Sequence, residues 1–126
     1  MDANHDPLTH AIIGLAMKVH TALGPGLFES VYEAALLFEL LEAGFDVRSQ
    51  VGIPVTYRGH ILSENAFRAD LIVEGCLIIE LKSVRELGNI HRAQILNYMR
   101  LANIPKGLLI NFNVQALRQG IKRFAL

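Results

Sequence analysis

The sequence predicts an α/β fold, a mixed sheet flanked by helices, in one domain spanning residues 1–126. Three observations carry this. Segments with helical and strand-like periodicity follow one another, from the second helix onward, in the order α-β-β-β-α-β. Tight-turn dipeptides separate the first three strand-like runs, which makes them antiparallel neighbours. A full helix then separates the third strand from the fourth, as in a crossover between parallel strands.

The elements follow in order. Asp6-Pro7 opens an N-terminal helix as N-cap and first-turn proline. Ile13, Met17, His20 and Leu23 form its apolar stripe, and Gly24-Pro25-Gly26 stops it. A second helix is expected over Leu27–Ala43, with Val31, Ala35, Phe38 and Leu41 at core spacing and Gly44 as its stop. Strands are expected at Val51–Tyr57, Ala66–Val73 and Leu77–Ser83, with turns at Arg58-Gly59 and Glu74-Gly75. A helix over Ile90–Ala102 turns Ile95, Tyr98 and Met99 inward and ends at Asn103-Ile104-Pro105. Gly107–Phe112 and Gly120–Leu126 complete the set as strands.

Composition narrows the function. With 52% hydrophobic and 19% charged residues the chain is a compact folder. No apolar run reaches the about 18 residues of a membrane span, so no membrane partner is expected. The polar, acidic opening Met1–Asp6 lacks a signal-peptide layout. Cys76 is the only cysteine, which excludes an internal disulfide, a cysteine-based zinc site and a four-cysteine iron–sulfur cluster and fits a reducing cytoplasm. Twelve Lys and Arg against twelve Asp and Glu leave no net charge. Phosphate-dominated binding usually leaves a basic footprint, so nucleic-acid contact would rest on local groups. Arg118, Lys122 and Arg123 form one such group, and Arg85, Arg92 and Arg100 lie near the expected site.

The chemistry concentrates around Asp70 and Glu80-Leu81-Lys82. Strand alternation puts Glu80 and Lys82 on one face and Leu81 on the other. Two carboxylates about 4 Å apart repel by roughly 4 kcal/mol at an effective dielectric near 20, whereas a shared hard cation would satisfy both. Read alone, the three residues fit equally a metal site or an ion-paired surface hairpin. Glu29, Tyr32 and Glu33 share a face of the second helix, where Glu29 also complements the helix dipole. His91, Gln94 and Tyr98 share a face of the helix after Glu-x-Lys, where Tyr98 also reads as core and Gln94 as a solvated side chain. His20 reads first as a satisfied semi-buried histidine, and His5, His10 and His60 lack zinc-ligand spacing. Gly24-Pro25-Gly26 lacks the Gly-Lys-Ser/Thr of a phosphate-binding loop.

Together these residues resemble the PD-(D/E)XK nuclease superfamily, whose core has an acid on the second strand and Glu-x-Lys on the third. Ala69 stands where that name has proline. Gln94-x-x-x-Tyr98 resembles the corresponding element of the RecB-like branch. Gly26-Leu27-Phe28-Glu29-Ser30-Val31-Tyr32 resembles the name motif of the small GxxExxY family, as do Val19–Gly26, Gly107–Asn113 and Ile121–Phe124 around it. The resemblance implies a restriction-endonuclease-like αβββαβ core with an extra N-terminal helix.

The function expected on this basis is metal-dependent hydrolysis of DNA phosphodiester bonds, in DNA repair or processing. Glu29, Asp70, Glu80 and Lys82 would be catalytic. Asp70, Glu80 and the Leu81 carbonyl would hold magnesium or manganese, with Glu29 as a third carboxylate, and Lys82 would orient the attacking water. Tyr32, His91, Gln94 and Tyr98 would contact substrate. The rival is a catalytically silent nucleic-acid-binding or protein-interaction module that keeps the fold. A homodimer would supply the surface that a small, neutral chain lacks.

Overall fold

The computed structural model describes residues 6–126, so residues 1–5 of the polar opening, His5 among them, lie outside the described residues. Helix α1 (Pro7–Leu23) and helix α2 (Glu29–Glu42) precede strands β1 (Val47–Tyr57), β2 (His60–Val73) and β3 (Leu77–Lys82). Helix α3 (Asn89–Ala102), strand β4 (Lys106–Asn111), a 3-10 turn (Leu117–Gly120) and strand β5 (Ile121–Ala125) follow. The α-β-β-β-α-β order is as the periodicity predicts.

The five strands lie in the order β1-β2-β3-β4-β5. The pairs β1–β2, β2–β3 and β4–β5 are antiparallel, and β3–β4, bridged by α3, is parallel. Alternation along β3 divides the core. Leu77, Ile79 and Leu81 pack with Leu108 and Ile110 against Ile12, Ala16, Tyr32, Leu36 and Leu40 of α1 and α2. Ile78 on the opposite face packs with Ile72 and Leu109 against Ile95, Tyr98 and Met99 of α3. A Cβ at Gly107 would collide with Met99 Sδ and the Ile95 side chain, so the glycine lets α3 lie close on β4.

The start of α1 is fixed as its sequence suggests. The Asp6 carboxylate accepts the Thr9 N–H at 3.0 Å and the Thr9 hydroxyl at 2.6 Å. It also accepts from Lys106 Nζ at 2.7 Å, tying α1 to the first residue of β4. Burial pushes the Asp6 pKa up, but the hydrogen bonds from Lys106 and Thr9 outweigh it and hold the group at about 2.

Both N-terminal helices bury a stripe that overlaps only partly with the one predicted, keeping Ile13 and His20 of α1 and, half-buried, Ala35 of α2. Helix α1 buries Thr9, Ile12, Ile13, Ala16, Val19 and His20, while Met17 and Leu23 are exposed. Helix α2 buries Tyr32, Leu36 and Leu40, while Val31, Phe38 and Leu41 are exposed. The segment Glu29–Glu42 is apolar on several faces, so periodicity alone admits more than one stripe. Packing on the sheet selects the one that contains Tyr32.

The β1–β2 hairpin is longer than predicted. Its pairing runs from Val47↔Val73 to Tyr57↔His60, whereas β2 pairs with β3 only from Leu71↔Ile79 to Val73↔Leu77. Beyond Asp70 the hairpin therefore leaves the sheet as a two-stranded arm, with Tyr57, Ile61 and Leu62 exposed.

Candidate active site

The site forms where β2 and β3 part. Leu71↔Ile79 is the last paired position, and one residue further on each strand stands an acid. The Asp70 N–H donates to Glu80 Oε1 at 3.1 Å, and the Leu81 N–H donates to Asp70 Oδ2 at 2.8 Å. Each carboxylate thus replaces a lost ladder partner on the neighbouring strand. The N–H and C=O of one strand residue point toward the same neighbour. The Leu81 carbonyl therefore faces the fork, and the Lys82 carbonyl faces β4, where it accepts the Phe112 N–H at 2.9 Å.

Glu80 is 3% exposed. Burial, followed by the charge of Asp70, pushes its pKa up to about 8, against smaller pulls from the Asp70 N–H hydrogen bond and then Lys82. Lys82 lies two residues along on the same face, half-buried, with its side chain in the cleft beside α3. No buried side-chain nitrogen or oxygen among the described residues lacks a hydrogen-bond partner. The fork is a finished polar site and not a packing defect.

Two neighbours join it that sequence reasoning left unassigned. Gln50 lies opposite Asp70 between the pairs Ser49↔Leu71 and Val51↔Ala69, and has a left-handed backbone, φ 51°. Its amide donates to Glu33 Oε1 at 2.8 Å and, more weakly, to Asp70 Oδ1 at 3.4 Å. Burial and the nearby Asp70 carboxylate raise the Glu33 pKa, with the Gln50 hydrogen bond opposing them. The signal for Glu33 is its placement one turn after Glu29. For Gln50 nothing local marks it, because a positive φ in a strand is a tertiary outcome.

Glu29 does not converge with Asp70 and Glu80. Helix α2 packs on the sheet face opposite α3, and Glu29 Oε1 accepts the Ser83 N–H at 3.3 Å. Among the described residues no three His, Cys, Asp or Glu side chains are arranged to hold a metal. The expected convergence of three carboxylates is thus not seen: the fork brings Asp70 and Glu80 together without Glu29.

Tyr32 is also corrected. It is fully buried, so it cannot touch substrate, and its ring stacks on Phe112 with centroids 4.5 Å apart. Its hydroxyl accepts the Leu27 N–H at 3.1 Å and donates to the Gly24 carbonyl. The tyrosine pins the Gly24–Leu27 loop, and the Leu27 carbonyl in turn accepts the Ser83 hydroxyl at 2.6 Å. The Gly-x-x-Glu-x-x-Tyr segment therefore braces the exit of β3, just past Lys82.

The α3 residues His91, Gln94 and Tyr98 gather at one cleft. Gln94 Nε2 donates to the Tyr98 hydroxyl at 2.9 Å, and both line a cleft of about 430 Å³ with Lys82 and His91. Burial, with smaller contributions from Glu80 and Asp70, raises the Tyr98 pKa, so the phenol keeps its proton at neutral pH. His91 Nδ1 accepts the Gly88 N–H at 3.0 Å, so one of its nitrogens caps α3. Arg85 and Arg92 border a separate cleft with Lys122, and Arg118 lies in another beside His20. His20 donates through Nε2 to the Val114 carbonyl at 2.8 Å, as a satisfied buried histidine does.

A mixed sheet between helices, with an acid and Glu-x-Lys at the mouth of a strand fork, defines a restriction-endonuclease-like domain. The chain belongs to the PD-(D/E)XK nuclease superfamily, whose family model matches residues 6–124. Neither the curated proteins nor the solved structures contain a significant match. Divalent metal ions are general in that superfamily, and nucleic acid is the substrate it suggests. No helix among the described residues is long and apolar enough to cross a membrane.

Proposed function

We propose that this chain is a magnesium- or manganese-dependent nuclease that hydrolyses DNA phosphodiester bonds. The observation that carries the reading is the fork itself, with two acids clasping each other's strands and Lys82 on the face of Glu80. The donor set fits a hard cation: the Asp70 carboxylate, the buried Glu80 carboxylate and the Leu81 carbonyl are all oxygen. A Glu80 that keeps its proton to about pH 8 is a ligand whose proton a cation would displace. A divalent cation there supplies polarisation of the scissile phosphate and a bound water of lowered pKa.

The chain's own residues do the rest. Lys82 orients the attacking water and offsets charge on the phosphate as the bond from phosphorus to the leaving oxygen breaks. Gln94 and Tyr98, fixed to each other, hold substrate beside Lys82, and the second nitrogen of His91 contacts it. Glu29 and Tyr32 act at one remove, by holding the β3 exit.

The Gly26–Tyr32 segment supports membership of the GxxExxY group, and the Gln94–Tyr98 hydrogen bond supports affinity with the RecB-like branch. DNA repair or processing in the cytoplasm suits such an activity. A homodimer joined through the exposed Phe38 and Leu41 of α2 would enlarge the binding surface of a neutral chain. The test is cleavage of single-stranded, nicked and duplex DNA with manganese or magnesium. Wild type should cut, and Glu80→Ala and Lys82→Ala should each lose at least a hundredfold. Equal cutting by the variants overturns the assignment. Metal binding without turnover favours a silent binding module.

A further inference from the structure

We infer that the cleft beside Lys82 is a stacking site for unpaired bases, so that the substrate is single-stranded DNA. This rests on the nuclease reading for the role of Lys82, but not for the binding it predicts.

The cleft lies between the β1–β2 arm and α3. Phe67 on the arm is 38% exposed, and its ring lies 5.2 Å from that of Tyr98 in a tilted pair. Ile90, in the first turn of α3, is 75% exposed at the same cleft. Two carboxamides, Gln94 and Asn97, line it beside these apolar groups. Aromatic rings with carboxamides at their edge are the chemistry that recognises unstacked bases. In a duplex the bases stack on one another, which leaves nothing for Phe67 and Ile90 to cover.

The charges point the same way. Among the described residues lining the cleft, Lys82 is the one lysine or arginine, and there is no acid. A duplex tracked through its phosphates needs a row of cations, and the whole chain carries no net charge. Stacking and one phosphate contact must therefore supply the affinity. Lys82 lines the cleft and stands two residues from Glu80 on the same face of β3, so a base seated on Phe67 would bring its own phosphate toward the fork.

The experiment is fluorescence anisotropy with a labelled thymidine 12-mer and a duplex of the same length, in EDTA so that nothing is cut. Wild type should bind the single strand at least tenfold tighter than the duplex. Its affinity should fall only weakly with salt, at a log–log slope of about −0.7, the value for one phosphate contact on a single strand. Phe67→Ala should weaken single-strand binding about tenfold, the lower end of one base–aromatic stack, and Phe67→Trp should restore it. Ile90→Ser, at an exposed position, should weaken it severalfold without unfolding. Equal or tighter binding of duplex, no measurable binding of either, or full affinity in both Phe67→Ala and Ile90→Ser overturns the inference. Cleavage of duplex that is indifferent to Phe67 removes the stacking site and leaves the nuclease. Phe67-dependent binding with no metal-dependent cleavage removes the nuclease and leaves the stacking site.

Discussion

Asp70 and Glu80 each accept a backbone hydrogen bond from the other's strand, at the point where that pair of strands stops pairing. The arrangement converts a strand split, which would orphan backbone N–H groups, into a pocket of carboxylate and carbonyl oxygen. It also buries Glu80 next to a like charge. The predicted behaviour of the metal-free protein follows from that burial.

Glu80 should make the apoprotein less stable as pH rises. Its folded pKa, about 8, lies above the ordinary 4.5. Between these values the unfolded chain has released a proton that the native state still binds, so raising pH favours unfolding. The contribution is fully present below about pH 4.5 and lost through about pH 8. At 1.36 kcal/mol per pKa unit the effect is of the order of a few kcal/mol. Urea unfolding in EDTA at pH 5 and pH 8.5 should show it, and Glu80→Gln should flatten the dependence.

Asp6 should act in the opposite sense at acid pH. Its folded pKa of about 2 lies below the ordinary 3.8, so its contribution is present above pH 3.8 and lost as pH falls toward 2. Asp6→Ala removes the N-cap and the partner of Lys106 together, and should cost about 1–3 kcal/mol at pH 7. Thermal unfolding of the variant checks the magnitude, and an acid titration checks the window.

Tyr32→Phe should separate scaffold from chemistry. It removes the hydroxyl that joins Gly24 to Leu27 and keeps the ring on Phe112. A loss of about 1–2 kcal/mol in stability is expected, with manganese affinity unchanged. A selective loss of metal affinity at full stability would return Tyr32 to the site.

Gln50 should show the reverse trade. A glutamine at φ 51° carries strain that glycine would not, and its amide bridges Glu33 and Asp70. Gln50→Gly should raise stability by about 1 kcal/mol and lower cleavage severalfold. Chemical denaturation beside a cleavage assay reads both.

The parts legible in the sequence are those fixed by local chemistry. Asp6-Pro7 caps α1, Gly24 ends it, and the spacing of Ile95, Tyr98 and Met99 gives the buried face of α3. Asp70, Glu80 and Lys82 come together because a short hairpin with a tight turn leaves few alternatives. What stayed hidden depends on packing. The buried stripe of α2 was ambiguous because Val31, Phe38 and Leu41 are as apolar as Leu36 and Leu40. Tyr32 reads as a substrate contact in the sequence because its motif sits beside Glu29, and only the fold shows that its hydroxyl serves a loop. Gln50 had no signal, since its backbone conformation and partners come from three separate elements.

The most direct test is calorimetric titration of manganese into wild type and Asp70→Asn at pH 6.5, in buffers of differing ionisation enthalpy. If the fork is a cation site, wild type binds manganese with release of close to one proton, that of Glu80, and Asp70→Asn binds at least tenfold more weakly. Equal binding by the two proteins, or binding without proton release, contradicts the account.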